Sequence, residues 1–304
     1  MSGNHNIAAH GALMTRAAWA AVGVAALLIV LKTVAYIVTD SIAMMASLAD
    51  SALDLFASSI NLLAIRHALT PADREHRFGH GKAEPLAGLV QAAFIAGSVA
   101  FLMIESVSRL IAPHRIEQGW LALAIMVVSI ATTVGLVALQ QIAVRQTGSL
   151  AVGADRVHYL GDLLTNIGVI VGILLSTQLG ILEADPVIGM VVALILAWSA
   201  WHVFRQSYDQ LMDRELPDAD RVRIKEIVMR HREVRNLHDL RTRAAGIATF
   251  IQLHIELDPA MSLMRSHEVS DEVEHELCAA FPNAEVIIHQ DPAGLEMPPA
   301  LARA

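Results

Sequence analysis

Residues 42–68 read IAMMASLADSALDLFASSINLLAIRHA, an apolar run interrupted by two carboxylates, Asp50 and Asp54, four positions apart. A helix crossing the hydrocarbon core of a bilayer needs about 20 predominantly apolar residues, and this stretch is long enough. It also places two acids at a depth where an isolated charge costs about 2.5–3.5 kcal/mol on insertion scales. Charge at that depth points to chemistry inside a membrane helix.

Five further stretches share this character: Ala12–Val38 ahead of it, then Leu86–Ile111, Gly119–Gln141, Ala151–Leu175 and Val187–Tyr208. The chain is 55% hydrophobic and 17% charged, with its apolar residues concentrated before residue 210, which excludes an ordinary soluble globule. The first stretch is too long for the core of a secretory signal and has no small-residue cleavage pattern, so it reads as a retained helix. Short connections that keep Lys and Arg lie on the cytoplasmic side. The connection between spans two and three carries Arg66, Arg74, Arg77 and Lys82, and that between four and five carries Arg145 and Arg156. The opposite side carries only Arg109 and Arg115, so both termini are expected in the cytoplasm. A net charge of −8, with 22 basic residues spread thinly, leaves no nucleic-acid footprint.

After Tyr208 the composition turns charge-rich, and residues 209–217, ending in Pro217, read as a linker. An amphipathic helix is expected over Asp218–His231, extended segments over Val234–Thr242 and Ala248–Leu257, a helix over Ser262–Ala280 and a strand over Ala284–His289. The expected organisation is a tail (1–11), a six-helix transmembrane domain (12–208), the linker, a small α+β domain of order αββαβ (218–291) and a tail (292–304). Two helices on one face of a three-stranded sheet suffice for a modest core. The single cysteine, Cys278, cannot form an intrachain disulfide and reads as a small core residue in a reducing compartment.

Span five contains Asp155-Arg-Val-His158-Tyr-Leu-Gly-Asp162. Asp50 with Asp54, and His158 with Asp162, are each four residues apart, so each pair shares a helix face with side chains about 5–6 Å from one another. At about 1.5 Å rise per residue through a core about 30 Å thick, all four fall near the midplane. Three carboxylates would repel one another there, and a divalent cation removes the repulsion. Oxygen ligands with one imidazole suit tetrahedral Zn²⁺ and are compatible with Fe²⁺. The competing reading, protonated acids that only pack helices, requires matched spacing and matched depth by coincidence. Asn61 and Asn166 read as interhelical hydrogen-bonding groups, and Glu105 with Arg109 as an i,i+4 pair.

Two further groups stand outside the spans. Asp73, His76 and His80 lie on the connection between spans two and three, and three such ligands can hold Zn²⁺ with water as a fourth; the alternative is a solvated loop. His238, His254, His267, His289 and Asp291 fall on the three expected strands and one helix, with His289 and Asp291 on one face if the last strand continues.

These motifs resemble the cation diffusion facilitator family. The resemblance rests on Asp50-x3-Asp54, on His158-x3-Asp162, on the loop Pro71-Ala-Asp73-Arg-Glu-His76-Arg-Phe-Gly-His80-Gly-Lys82-Ala-Glu84 and on the spacing of the C-terminal histidines, and it covers nearly the whole chain. It implies a homodimer in a bacterial inner membrane, with metallochaperone-like C-terminal domains, that exports Zn²⁺ (and Fe²⁺ or Cd²⁺) in exchange for protons. Asp50, Asp54, His158 and Asp162 would form the transport site. A two-metal site would sit at the interface of the soluble domains, with Asp291 bridging and His267 supplied from or near the partner chain. Zn²⁺ would thus be both cargo and a structural or regulatory ion, with no organic cofactor. Lys82 and Asp213 would form a salt bridge between protomers. Asp rather than His at position 50 implies broader metal selectivity. His5, His10, His67, His114, His202, His231 and His275 match no ligand position and read as surface residues.

No HExxH, Ser/His/Asp or nucleotide-binding arrangement occurs, so an enzyme is not expected. The alternative is a membrane-bound metal sensor signalling through the soluble domain, which would not need ligands at the midplane.

Overall fold

The structure, a computed structural model, describes residues 2–39, 42–111, 120–178 and 184–294. The chain divides into two compact units, residues 10–208 and residues 209–304 with 1–9. His114 and Arg115 lie outside the described residues.

The first unit is built on six long helices: α1 (Ser2–Thr39), α2 (Ile42–Ala68), α3 (Ala83–Ile111), α4 (Trp120–Thr147), α5 (Leu150–Gln178) and α6 (Ala184–Leu211). Helix α1 begins at Ser2, so most of the segment read as a tail is helical. Among the described residues, five stretches are long and apolar enough to cross a membrane: Ala9–Val38, Ser47–Ala68, Ala83–Ile111, Ala124–Thr147 and Pro186–Leu211. Helix α5 is outside that count; it is 29 residues long and carries Asp155, Arg156 and Asp162 in its first half.

Helix α2 stops just before Thr70-Pro71, where proline excludes helical backbone from the residue preceding it. Helices α4 and α5 meet at a tight turn in which Gly148 adopts φ +68° and its N–H bonds Val144 O at 2.8 Å, a left-handed cap that L-residues with side chains adopt at a cost. Buried polar groups then fix the helices side by side. Asp155 is fully buried and accepts Gln140 Nε2 (2.7 Å) from α4, Gln91 Nε2 (3.1 Å) from α3 and Ser58 Oγ (3.4 Å) from α2. Tyr159, one turn on, shares a 2.8 Å hydrogen bond with Ser58 and donates to Ala21 O of α1 at 3.2 Å. Buried Glu84, in the first turn of α3, accepts the Ser149 hydroxyl and the Ala151 N–H at 3.4 Å, placing a carboxylate at the N-terminus of α5, where free N–H groups and the helix dipole favour it. The expected Glu105–Arg109 pair forms at 2.8 Å. Asn61 is buried with neither amide atom hydrogen-bonded to a described residue, contrary to the interhelical bond expected of it.

The second unit folds as α7 (Asp218–Met229), β1 (Asn236–Ala245), β2 (Ala248–Leu257), α8 (Leu263–Ala280) and β3 (Ala284–Pro292). This is the expected αββαβ order. The sheet order is β1-β2-β3, with β1 antiparallel to β2 and β2 parallel to β3 through the α8 crossover. Ile224, Ile227 and Val228 of α7, Val269, Val273 and Leu277 of α8, and Ile251, Leu253 and Ile255 of β2 make one core. Cys278 packs at its edge. Ser262 caps α8 by accepting the Arg265 N–H. Strand β3 continues past His289 to Pro292, which puts Asp291 in register opposite Glu256.

Candidate metal centres

The first centre lies between α2 and α5. Asp54 and His158 are each only 7% exposed, and His158 Nε2 lies 3.0 Å from Asp54 Oδ1 and 3.9 Å from Asp162 Oδ2. One ligand atom from each of the three falls within 4.8 Å of the others. Bonds of about 2.0–2.1 Å to a tetrahedral metal put neighbouring ligand atoms about 3.4 Å apart, so the spacing suits a shared cation after small adjustments. Gly161, between His158 and Asp162, packs against the end of the Leu196 side chain of α6, where a Cβ would fall 2.8 Å from Leu196 Cδ2. Asp50 is not in the three-residue group. It sits one turn nearer the start of α2, beside Ser51, whose Oγ accepts Lys32 Nζ of α1 at 2.6 Å; Lys32 also donates to Ser47 O at 3.0 Å.

The second centre is the loop after α2. Asp73 Oδ1 accepts the backbone N–H of His76 (2.6 Å) and of Glu75 (2.9 Å), which folds the segment into a tight polar turn. The His76 N–H foremost, then that of Glu75 and the nearby imidazoles, hold the Asp73 carboxyl below its usual pKa against a smaller desolvation effect. Asp73 Oδ1 lies 3.5 Å from His76 Nδ1, and Oδ2 lies 3.4 Å from His80 Nε2. His80 is buried, and its Nδ1 is 3.2 Å from Thr70 O. Thr70 O can only accept, so Nδ1 donates to it and Nε2 is the ring nitrogen turned toward Asp73, the usual way a second partner orients a ligand histidine.

The third centre is on the sheet of the second unit. His238 of β1, His254 of β2 and His289 of β3 are cross-strand neighbours, and Asp291 gathers them. Its Oδ2 is 2.8 Å from His254 Nδ1 and 3.2 Å from His238 Nε2, and its Oδ1 is 3.3 Å from His289 Nε2. Partial burial works to raise the Asp291 pKa, but the His254 hydrogen bond and the charges of His289, His254 and His238 outweigh it, so the carboxyl titrates below its ordinary range. A register shift between His238 and Arg241, with Asp239 at φ +46°, marks a bulge that breaks the regular pairing of β1 just after His238. His267 is exposed on α8, 3.5 Å from Asp271, and the chain does not bring it to this group.

Asp213 faces Arg243 at 3.3 Å within its own unit, and Lys82 sits in the turn leading into α3. Of the histidines read as surface residues, His231 is placed otherwise, mostly buried between Glu272 and Glu276 at 3.9 and 3.5 Å, whereas His67 is exposed as expected, with its ring against that of His80.

Residues 18–212 match the family described as the cation efflux transmembrane domain, and residues 216–293 match the cation efflux protein cytoplasmic domain. The chain belongs to the cation efflux family. Among curated relatives, the cation-efflux pump FieF of Shewanella oneidensis is 44% identical over 277 residues, 91% of this chain and 93% of that protein. FieF of Cronobacter sakazakii is 40% identical over 292 residues, 96% of each. Among solved structures, the metal-bound C-terminal domain of the CzcD transporter from Thermotoga maritima is 28% identical, with a TM-score of 0.25, over 27% of this chain and 100% of its own. This cation efflux protein is therefore a multi-pass membrane transporter of metal ions, not an enzyme.

Reading the sequence alone of this cation efflux protein missed Lys32, which bonds Ser51 beside Asp50, and the Gln91 and Gln140 amides that hold Asp155. Their signal was available, because strongly polar side chains inside apolar spans are expensive and call for named partners.

Proposed function

We propose that this chain is a proton-coupled antiporter that exports divalent transition metal ions from the cytoplasm, Zn²⁺ first and also Fe²⁺ or Cd²⁺, as a homodimer in a bacterial inner membrane with both termini cytoplasmic. The observation that carries the reading is the Asp54–His158–Asp162 group, with Asp54 and His158 buried and Asp162 partly so, shared by two long helices of the membrane unit. Asp50, one turn away on α2, is the fourth transport ligand, drawn in when the cation arrives. Relatives named as cation-efflux pumps support the outward direction.

Proton exchange follows from the chemistry of the ligands. A metal binds carboxylate and neutral imidazole, so protons and metal compete for the same lone pairs, and a histidine ordinarily titrates near pH 6.5. Protonation of His158 and a neighbouring carboxylate releases the ion, and deprotonation rebuilds the site. In the soluble domain, Asp291 has one oxygen toward His238 and His254 and the other toward His289, which supports a bridging carboxylate between two metals, with His267 contributed from or near the partner chain. Lys82 and Asp213 are proposed to pair between protomers.

Metal flux into proteoliposomes for Zn²⁺, Fe²⁺, Cd²⁺ and Mn²⁺, under an imposed pH gradient, tests the reading. Zn²⁺ uptake should rise when the gradient drives protons the opposite way. Flux indifferent to the gradient removes proton coupling. Zn²⁺ binding without flux favours the sensor.

A further inference from the structure

His67 has no role in the reading above, yet its position on the molecule is specific. It lies in the last turn of α2, and its ring centroid is 4.5 Å from that of His80 with the planes at 61°. His76, a member of the loop group, is no nearer: its ring is 4.7 Å from His80 at 48°. The backbone explains the approach. Thr70 N bonds His67 O at 3.0 Å, turning the chain back at the end of α2, and Thr70 O then receives His80 Nδ1 at 3.2 Å. The His67 side chain is exposed, so its ring can turn about its side-chain torsions.

We propose that His67 is the fourth protein ligand of the loop metal, so that Asp73, His76, His80 and His67 form a closed three-histidine, one-aspartate site. The proposal rests on reading Asp73–His76–His80 as a metal centre. The donors already in place are spaced for it: His80 Nε2 and His76 Nδ1 lie 3.4 and 3.5 Å from Asp73 oxygens, close to the ligand–ligand edge of a tetrahedral metal. His67 is a further imidazole beside these three, at the end of α2 with its exposed ring against His80, and a rotation of that ring would bring it to the site.

The fourth ligand changes what the site does. Metal sites with three protein ligands and a water exchange and react, whereas four protein ligands make a structural site. A closed loop site therefore retains its ion and does not hand ions on to the membrane centre. It also fastens the loop to the helix that carries Asp50 and Asp54, since His67 is 13 residues, about 20 Å, along α2 from Asp54. The retained metal is a clamp on the end of a transport helix.

Co²⁺ is the probe, because its visible absorption is intense with four ligands and weak when water raises the coordination number. The full-length protein in detergent, carrying Asp54→Ala and Asp291→Ala to silence the other centres, is titrated with Co²⁺ alongside further His67→Ala, His67→Phe and His67→Cys variants. Both His67→Ala and His67→Phe should weaken Co²⁺ binding at least about tenfold, a loss seen even for partners outside the ligand shell, and should shift and weaken the visible bands as water replaces an imidazole. His67→Cys should restore intense absorption and add a thiolate-to-cobalt charge-transfer band. Unchanged affinity and absorption in His67→Ala, or full retention in His67→Phe, overturns the fourth-ligand assignment while leaving the three-ligand centre intact. Should Asp73→Ala also leave Co²⁺ binding unchanged, the loop is no metal centre and the inference falls with it.

Discussion

Asp155 and Asp162 sit two turns apart on α5 and differ in what surrounds them. The lone pairs of Asp155 are filled by neutral donors from three other helices, Gln140, Gln91 and Ser58. Asp162 faces the imidazole of His158 at 3.9 Å, across from Asp54. A carboxylate saturated by amides holds helices together; one facing imidazole and a second carboxylate is free to take a cation. Accordingly, Asp162→Ala should abolish Zn²⁺ flux in proteoliposomes with little change in the unfolding temperature in detergent. Asp155→Ala should lower that temperature, since each buried donor left without an acceptor costs about 1–3 kcal/mol. The reverse pattern, with flux surviving in Asp162→Ala or the melt unmoved in Asp155→Ala, would exchange their roles. From the sequence the two acids look alike: positions 155, 158 and 162 recur at helical spacing along one stripe. Gln91 and Gln140, which claim Asp155, are 64 and 15 residues away and meet it only once α3 and α4 have packed.

At the level of elements, the C-terminal sheet was legible because its strands alternate and its helices keep a helical period, and the crossover α8 then makes β3 parallel to β2. The bulge after His238 was not, because a bulge is a property of two paired strands and not of one. The arrangement it accompanies gives β3 an acid-sensitive role. Asp291 is held below its ordinary pKa by His254, His289 and His238, so its folded value lies under the unfolded value of about 3.9. Its contribution to stability is complete above the unfolded value and is lost as pH falls through the folded one. Below that point the carboxylate charge that Asp291 sets among His238, His254 and His289 is lost. In metal-free protein, urea midpoints of the C-terminal domain should therefore fall as pH drops below about 4, and Asp291→Asn should flatten this limb while lowering the midpoint at pH 6. Parallel pH profiles for the two proteins would show that Asp291 does not carry the effect.

Across the whole molecule, each group of metal ligands is drawn from a single unit: Asp54, His158 and Asp162 with Asp73, His76 and His80 from residues 10–208, and His238, His254 and Asp291 from the C-terminal unit. The change in composition near residue 210 marks that partition in the sequence itself, since apolar spans cannot contribute to a charge-rich sheet domain. A ligand that binds only the folded state stabilises it by RT ln(1 + [L]/Kd), about 2.7 kcal/mol at a hundredfold excess over Kd. Metal should therefore raise two unfolding transitions separately, because each unit loses its own ligands when it unfolds. Calorimetry in detergent, with chelator and then with Zn²⁺, should resolve both shifts. Asp54→Ala combined with Asp73→Ala should erase the shift of the helical unit and spare the other, and Asp291→Ala should do the opposite. If either change erased both shifts, the metals would be stabilising one cooperative body, and the assignment of separate centres to separate units would be wrong.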